Sequence, residues 1–103
     1  MSFELIKKIL DELGITYAYY QFTEAVTAAR YIAYYEVSKE RVLADNKVYH
    51  WEPRFAVELY TKVVEPETEQ KLIDLFEQHE VVWTATPATY IDDEKVYMTV
   101  FYC

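Results

Sequence analysis

The chain has 103 residues, with 18 acidic side chains against 10 basic ones and a net charge of −8, which suits one domain, 1–103, with a single modest core. So acidic a chain repels a nucleic-acid backbone before specific contacts can form, and the sequence has neither an apolar run of membrane-spanning length nor a basic-then-apolar leader. The expectation is a soluble protein of the cytoplasm in which it is made, with no nucleic-acid or membrane partner. Its one glycine, Gly14, excludes phosphate-cradling loops that need several, and with them P-loop and Rossmann nucleotide enzymes.

Phe3, Leu5, Ile6, Ile9, Leu10 and Leu13 recur at threes and fours and predict a helix over 3–13. Ser2 can cap its start, Glu4 suits its positive end, and Gly14 suits a left-handed terminator. Ile15 to Phe22 is β-branched and aromatic and reads as a strand with Ile15, Tyr17 and Tyr19 on one face. Gln21 to Ala29 loses that pattern and is expected to be a loop. A second strand, Arg30 to Val37, alternates Ile32 and Tyr34 with Tyr31, Ala33 and Tyr35, and Ser38 to Glu40 is expected to turn.

Val42 to Trp51 is interrupted by Asp45-Asn46, residue types that tolerate the positive φ of a two-residue turn, so a hairpin is expected there. Pro53 marks an edge or a bulge. From Arg54 to Thr61, Phe55, Val57 and Leu59 face one way and Arg54, Glu58 and Tyr60 the other. Glu65-Pro66-Glu67 opens a second helix running to about His79, with Thr68, Leu72, Leu75, Phe76 and His79 inward. Val81 to Ile91 and Lys95 to Cys103 form a closing hairpin across Asp92-Asp93-Glu94. The order α-β-β-β(β)-α-β-β gives an α+β fold, two helices packed on one face of a largely antiparallel sheet.

Catalytic signatures are weak. His50 and His79 fall on different elements with no third ligand at metal-site spacing. Ser2 and Ser38 are the only serines, and neither has a nucleophile-elbow context. Asp92, Asp93, Glu94 and the acidic helix face read as solvated surface, and Cys103 as a free thiol. No cofactor is expected and the chain reads as a non-enzyme. The aromatic load is the informative feature: eleven Tyr, five Phe and two Trp are more than a core of this size readily absorbs; rings with polar tips suit protein interfaces, and the alternative is tyrosine filling half-exposed strand positions.

Ala44-Asp45-Asn46-Lys47-Val48-Tyr49, Val57-Glu58-Leu59-Tyr60-Thr61, the Glu65-Pro66-Glu67 helix start with Lys71 and Leu72, and Tyr90-Ile91-Asp92-Asp93-Glu94-Lys95-Val96-Tyr97 together resemble small tail terminator and head-tail joining proteins of long-tailed phages and prophages of Gram-positive bacteria. The likeness covers nearly the whole chain and departs at Trp51-Glu52-Pro53, where a plainer strand is expected. The resemblance implies a subunit that closes into a hexameric ring, caps the tail tube, and joins the major tail-tube protein to a head-completion or connector protein. It implies assembly in the host bacterial cytoplasm and a place at the virion head–tail junction. The alternatives are a neighbouring neck or head-completion protein and a cytoplasmic protein-binding adaptor. The candidate interface residues are Phe22, Thr23, Glu24, Tyr31, Tyr35, Asp45, Asn46, Lys47 and Tyr60.

Overall fold

The computed structural model describes residues 1–21, 28–44 and 47–103, with the backbone alone described from 40 to 51. Helix α1 (Phe3–Leu13) begins where the Ser2 hydroxyl accepts the Leu5 N–H at 3.1 Å and ends at Gly14, φ 76°, a left-handed position that glycine takes without steric cost. Strand β1 (Tyr17–Tyr19) follows and is shorter than the expected Ile15 to Phe22. It stops because Tyr20 turns to φ 70°, a conformation that cannot continue a strand.

Strands β2 (Arg30–Ala44) and β3 (Lys47–Thr61) form one antiparallel hairpin of fifteen residues a side, ending on the Ala44↔Lys47 pair. The hairpin is as expected, and Asp45 and Asn46, where its turn is expected, lie outside the described residues. The expected turn at Ser38 to Glu40 is instead continuous strand, with Ser38 opposite Arg54 and Lys39 opposite Pro53. The polarity that suggested a turn has a different origin. A bulge between Glu36 and Ser38 carries the strand past the helix-covered sheet, where no core demands apolar residues. Pro53, which cannot donate to a ladder, sits where β3 pairs with β2 but not with β6, as an edge proline should.

Helix α2 (Pro66–Gln78) has proline in its first turn and ends on His79. Glu80 adopts φ 56°, while the Val81 N–H returns to the Phe76 carbonyl at 2.8 Å, so a glutamate does what glycine usually does at a helix end. The Val81 to Ile91 segment does not form one strand. It splits into β4 (Thr84–Ala85) and β5 (Thr89–Ile91) around Pro87, and both lie against β6 (Val96–Tyr102). The sheet runs β1-β2-β3-β6 with β4 and β5 sharing the far edge. Every pairing is antiparallel except β1 with β2.

Both helices lie on one face. Ile6, Ile9 and Leu10 of α1 and Leu72 and Phe76 of α2 meet Ile32, Tyr34, Phe55, Val57, Leu59 and Phe101 of the sheet in one buried cluster. Phe3 closes its end edge-on to Phe55, ring centres 4.8 Å apart. Cys103 is buried there too, exchanging backbone bonds of 2.8 and 3.0 Å with Phe55. Burial pushes its thiol up to about 12, so it stays protonated and unreactive at neutral pH.

The molecule is elongated, 49 × 27 × 23 Å, and its surface of 6907 Å² exceeds the roughly 6,000 Å² of a compact fold of this mass. The distal β2–β3 ribbon, beside which no third strand lies among the described residues, extends the molecule along one axis. Truncating Leu10 or Phe76, both essentially fully buried, to alanine is expected to cost about 2–5 kcal/mol each, read from urea denaturation midpoints. Unchanged midpoints would mean that the helices do not rest on this face.

A candidate protein interface on the open face of the sheet

Side chains alternate across a strand, so the residues between the core positions point away from the helices. Three registered rows result. Tyr35 stands opposite Ala56 and Ala56 opposite Tyr102; Ala33, Glu58 and Val100 form the second row; Tyr31, Tyr60 and Met98 form the third. Small residues alternate with large rings, and the small ones are covered although no helix among the described residues lies on this side: Ala56 is 0% exposed and Val100 8%.

The rings are ordered by their hydroxyls and by each other. Tyr31 and Tyr60 stack with centres 4.8 Å apart and planes within 10°. The Tyr60 hydroxyl donates to Glu58 Oε1 at 2.8 Å, and the Tyr35 hydroxyl donates to Glu58 Oε2 at 2.9 Å. Both carboxylate oxygens of Glu58, the one acidic group in the three rows, are therefore occupied by phenols. Tyr20 stacks on Tyr35 at 5.7 Å and meets Tyr19 edge-on at 4.8 Å, which extends the ring array around the β1 edge. Its left-handed backbone places a large, 59% exposed ring there, a costly conformation for a non-glycine residue.

The electrostatics follow from this burial. Desolvation, and then the bond to Glu58, push Tyr35 up to about 12 and raise Tyr60 as well. Burial raises Tyr31, with the Glu94 carboxylate adding to it. A neutral, polar-tipped surface is what such a face offers. It can be dried by a partner without stranding the carboxylate, because Glu58 keeps both of its hydrogen bonds.

Of the expected interface residues, the structure brings Tyr31, Tyr35 and Tyr60 together in this array. Lys47 begins β3 at the far end of the ribbon, well away from them along the strand. Phe22, Thr23, Glu24, Asp45 and Asn46 lie outside the described residues. Sequence reasoning overlooked Glu58, which joins two of the tyrosines, together with Tyr20, Met98, Val100 and Tyr102. Their alternation was visible in the sequence, but only the register Tyr60↔Met98 and Ala56↔Tyr102 places β6 beside β3.

Other polar clusters are self-satisfied. A cavity of about 470 Å³ at the start of α2 is lined by Arg30, Glu65, Thr68 and Lys71 among others. Within it Glu65 Oε1 accepts from both Thr68 Oγ1, at 2.7 Å, and Arg30 Nε, at 2.8 Å. These two donors, Thr68 first, hold the Glu65 carboxyl below its ordinary value. His79 faces Glu12 at 3.3 Å across the two helices. Among the described residues, no group of three His, Cys, Asp or Glu side chains is placed to hold a metal ion, and no helix is long and apolar enough to cross a membrane.

A tyrosine whose pKa is raised on folding contributes stability that is whole below its unfolded value, about 10, and is lost as pH rises through its folded value. For Tyr35 that window runs from 10.0 to about 12. Phenolate absorbance should show Tyr35 and Tyr60 ionising late, and Glu58→Gln should bring both part of the way down, burial being the larger cause. A titration curve unchanged by Glu58→Gln would detach the carboxylate from the array.

A scan against protein-family models finds no match for the chain, and a search of curated proteins finds none either.

Proposed function

We propose that this chain is a non-enzymatic assembly subunit of a long-tailed phage or prophage, a tail terminator whose ring caps the finished tube and offers the head its docking surface. The observation that carries the reading is the open tyrosine face. Three rows of rings and small apolar residues surround one carboxylate already hydrogen-bonded by two of them. A face so arranged has the composition of an interface core, aromatic and poor in charge, and burying it against protein strands no ion. The resemblance of the chain to tail terminator and head-tail joining proteins supplies the particular assembly. Its partners are then further copies of itself, the major tail-tube protein and the head-completion or connector protein. Its setting is the host cytoplasm during assembly and the head–tail junction of the virion.

Closure makes physical sense for this role, because repeated head-to-tail contacts between identical subunits either close into a ring or grow without limit. Crowding chains of net charge −8 also requires that the acidic outer side of α2, with Glu67, Glu69, Asp74 and Glu77, point away from the seams, since like charges oppose contact. A phage lacking this gene is expected to make tails that are overlong or unattached to heads, seen by electron microscopy. Tails of normal length joined to filled heads would remove the terminator role and favour the adaptor reading.

A further inference from the structure

Glu58 stands in the middle of the open face, between Ala33 and Val100 in its own row and with the hydroxyls of Tyr35 and Tyr60 on its two oxygens. A carboxylate has about four lone-pair sites, so the two phenols leave room for further donors and leave the negative charge whole. Glu58, Tyr35, Tyr60 and Tyr102 are half-buried, so solvent still reaches the group. Among the described residues no basic side chain forms an ion pair with it. Arg30 is held by Glu65 and Lys39 by Glu36, while Lys62, just past the end of β3, is exposed.

The charge around this point has one sign. The Glu94 carboxylate acts on both Tyr31 and Tyr60, so a second anion borders the third row. A partner that dries the face leaves Glu58 hydrogen-bonded, yet it takes a full negative charge out of water, which is costly unless a cation arrives with it. The surroundings select the kind of cation. Phenol rings attract cations to their faces, and the carboxylate and phenol oxygens can all accept hydrogen bonds. A guanidinium has five N–H donors and no acceptor. It is planar, stacks on aromatic rings and is more weakly hydrated than an ammonium group.

We propose that the tyrosine face docks a protein partner through an arginine side chain placed over Glu58, with the partner's surrounding surface resting on the rings. This rests on the reading of the face given above and adds the chemistry by which its partner is recognised. A second copy of the chain is a poor source of that arginine. It brings another −8 with it, and of its three arginines Arg30 is bound to Glu65 and Arg54 has contacts of its own. Two copies meeting face to face would set Glu58 against Glu58, which like-charge repulsion opposes. The occupant is therefore a different and less acidic protein. Tyr20, 59% exposed and stacked on Tyr35, stands ready at the margin as part of the rim.

The test uses the full chain with isotope-labelled tyrosine rings, and N-acetyl-arginine amide as the probe, read by NMR. The ring signals of Tyr35 and Tyr60 are expected to shift and to saturate below about 100 mM. N-acetyl-citrulline amide has nearly the same shape without the charge and should bind about tenfold more weakly. N-acetyl-lysine amide should fall between the two. Glu58→Gln, checked against the wild type by circular dichroism and thermal midpoint, should weaken the arginine probe about tenfold. The citrulline comparison needs no variant, so it decides the matter even if Glu58→Gln does not fold.

No shift at the highest concentration, equal binding of the citrulline probe, or binding that Glu58→Gln leaves unchanged overturns the proposal. Sedimentation of the free chain adds a further check. Self-association that Glu58→Gln abolishes would make the occupant a second copy and overturn the assignment to a different protein. The probe reports on this face alone, so the terminator reading is judged separately, by tail length and head attachment in the gene-deleted phage.

Discussion

The long ladder between β2 and β3 is the constraint on which the other features depend. Because each strand alternates, one register decides at once which residues meet the helices and which face away. With Ile32 opposite Leu59 and Tyr34 opposite Val57, the apolar set falls under α1 and α2. The same pairing sets Tyr31 against Tyr60 and Ala33 against Glu58 on the far side. A slip by one residue would send the tyrosines into the helix-covered core and the core residues to the open face, so burial on one side enforces the geometry of the other. The bulge at Val37 takes effect only where the helices no longer cover the sheet.

The two faces use aromatic rings differently. Phe55, Phe76 and Phe101 fill the covered side, where a hydroxyl would need a buried partner. Tyr31, Tyr35, Tyr60 and Tyr102 occupy the open side, where the phenol reaches either water or Glu58. Tyr34 is the exception in the core; it lies near the β1 edge among Tyr17, Tyr19 and Phe55. The aromatic excess in the composition is therefore largely the open face together with this edge cluster, and it does not reflect an oversized core.

Both helices were legible in the sequence because their signals are local: the threes-and-fours stripes, Ser2 and Gly14 around α1, and Pro66 at the start of α2. The hairpin of β2 and β3 and the two-faced strand ending at Thr61 were legible for the same reason, since alternation lies in the strand itself. The misread places depend on neighbours distant in sequence. Ser38 to Glu40 looks like a turn because it is polar, and it is strand because Arg54 to Glu52 lies opposite to pair with it. The parallel docking of β1 on β2 leaves no local trace. Of the candidate site, the tyrosines were visible as a surplus, but the carboxylate that joins them was not, since Glu58 sits opposite Ala33 and one row from Tyr35 only once the sheet has formed.

Beside the helices, both lateral margins of the sheet are poor templates for another strand. On one side β1 is three residues long and is terminated by the left-handed Tyr20. On the other, the outermost strand is broken at Pro87, where no N–H is available, into pieces of two and three residues. Short, interrupted edges are how natural sheets resist open-ended strand-to-strand accretion. A chain this rich in β-structure and tyrosine would otherwise be prone to amyloid-like stacking when synthesised in quantity. Beside the helices, then, the sheet offers a passing chain the side chains of its tyrosine face and little backbone to pair with.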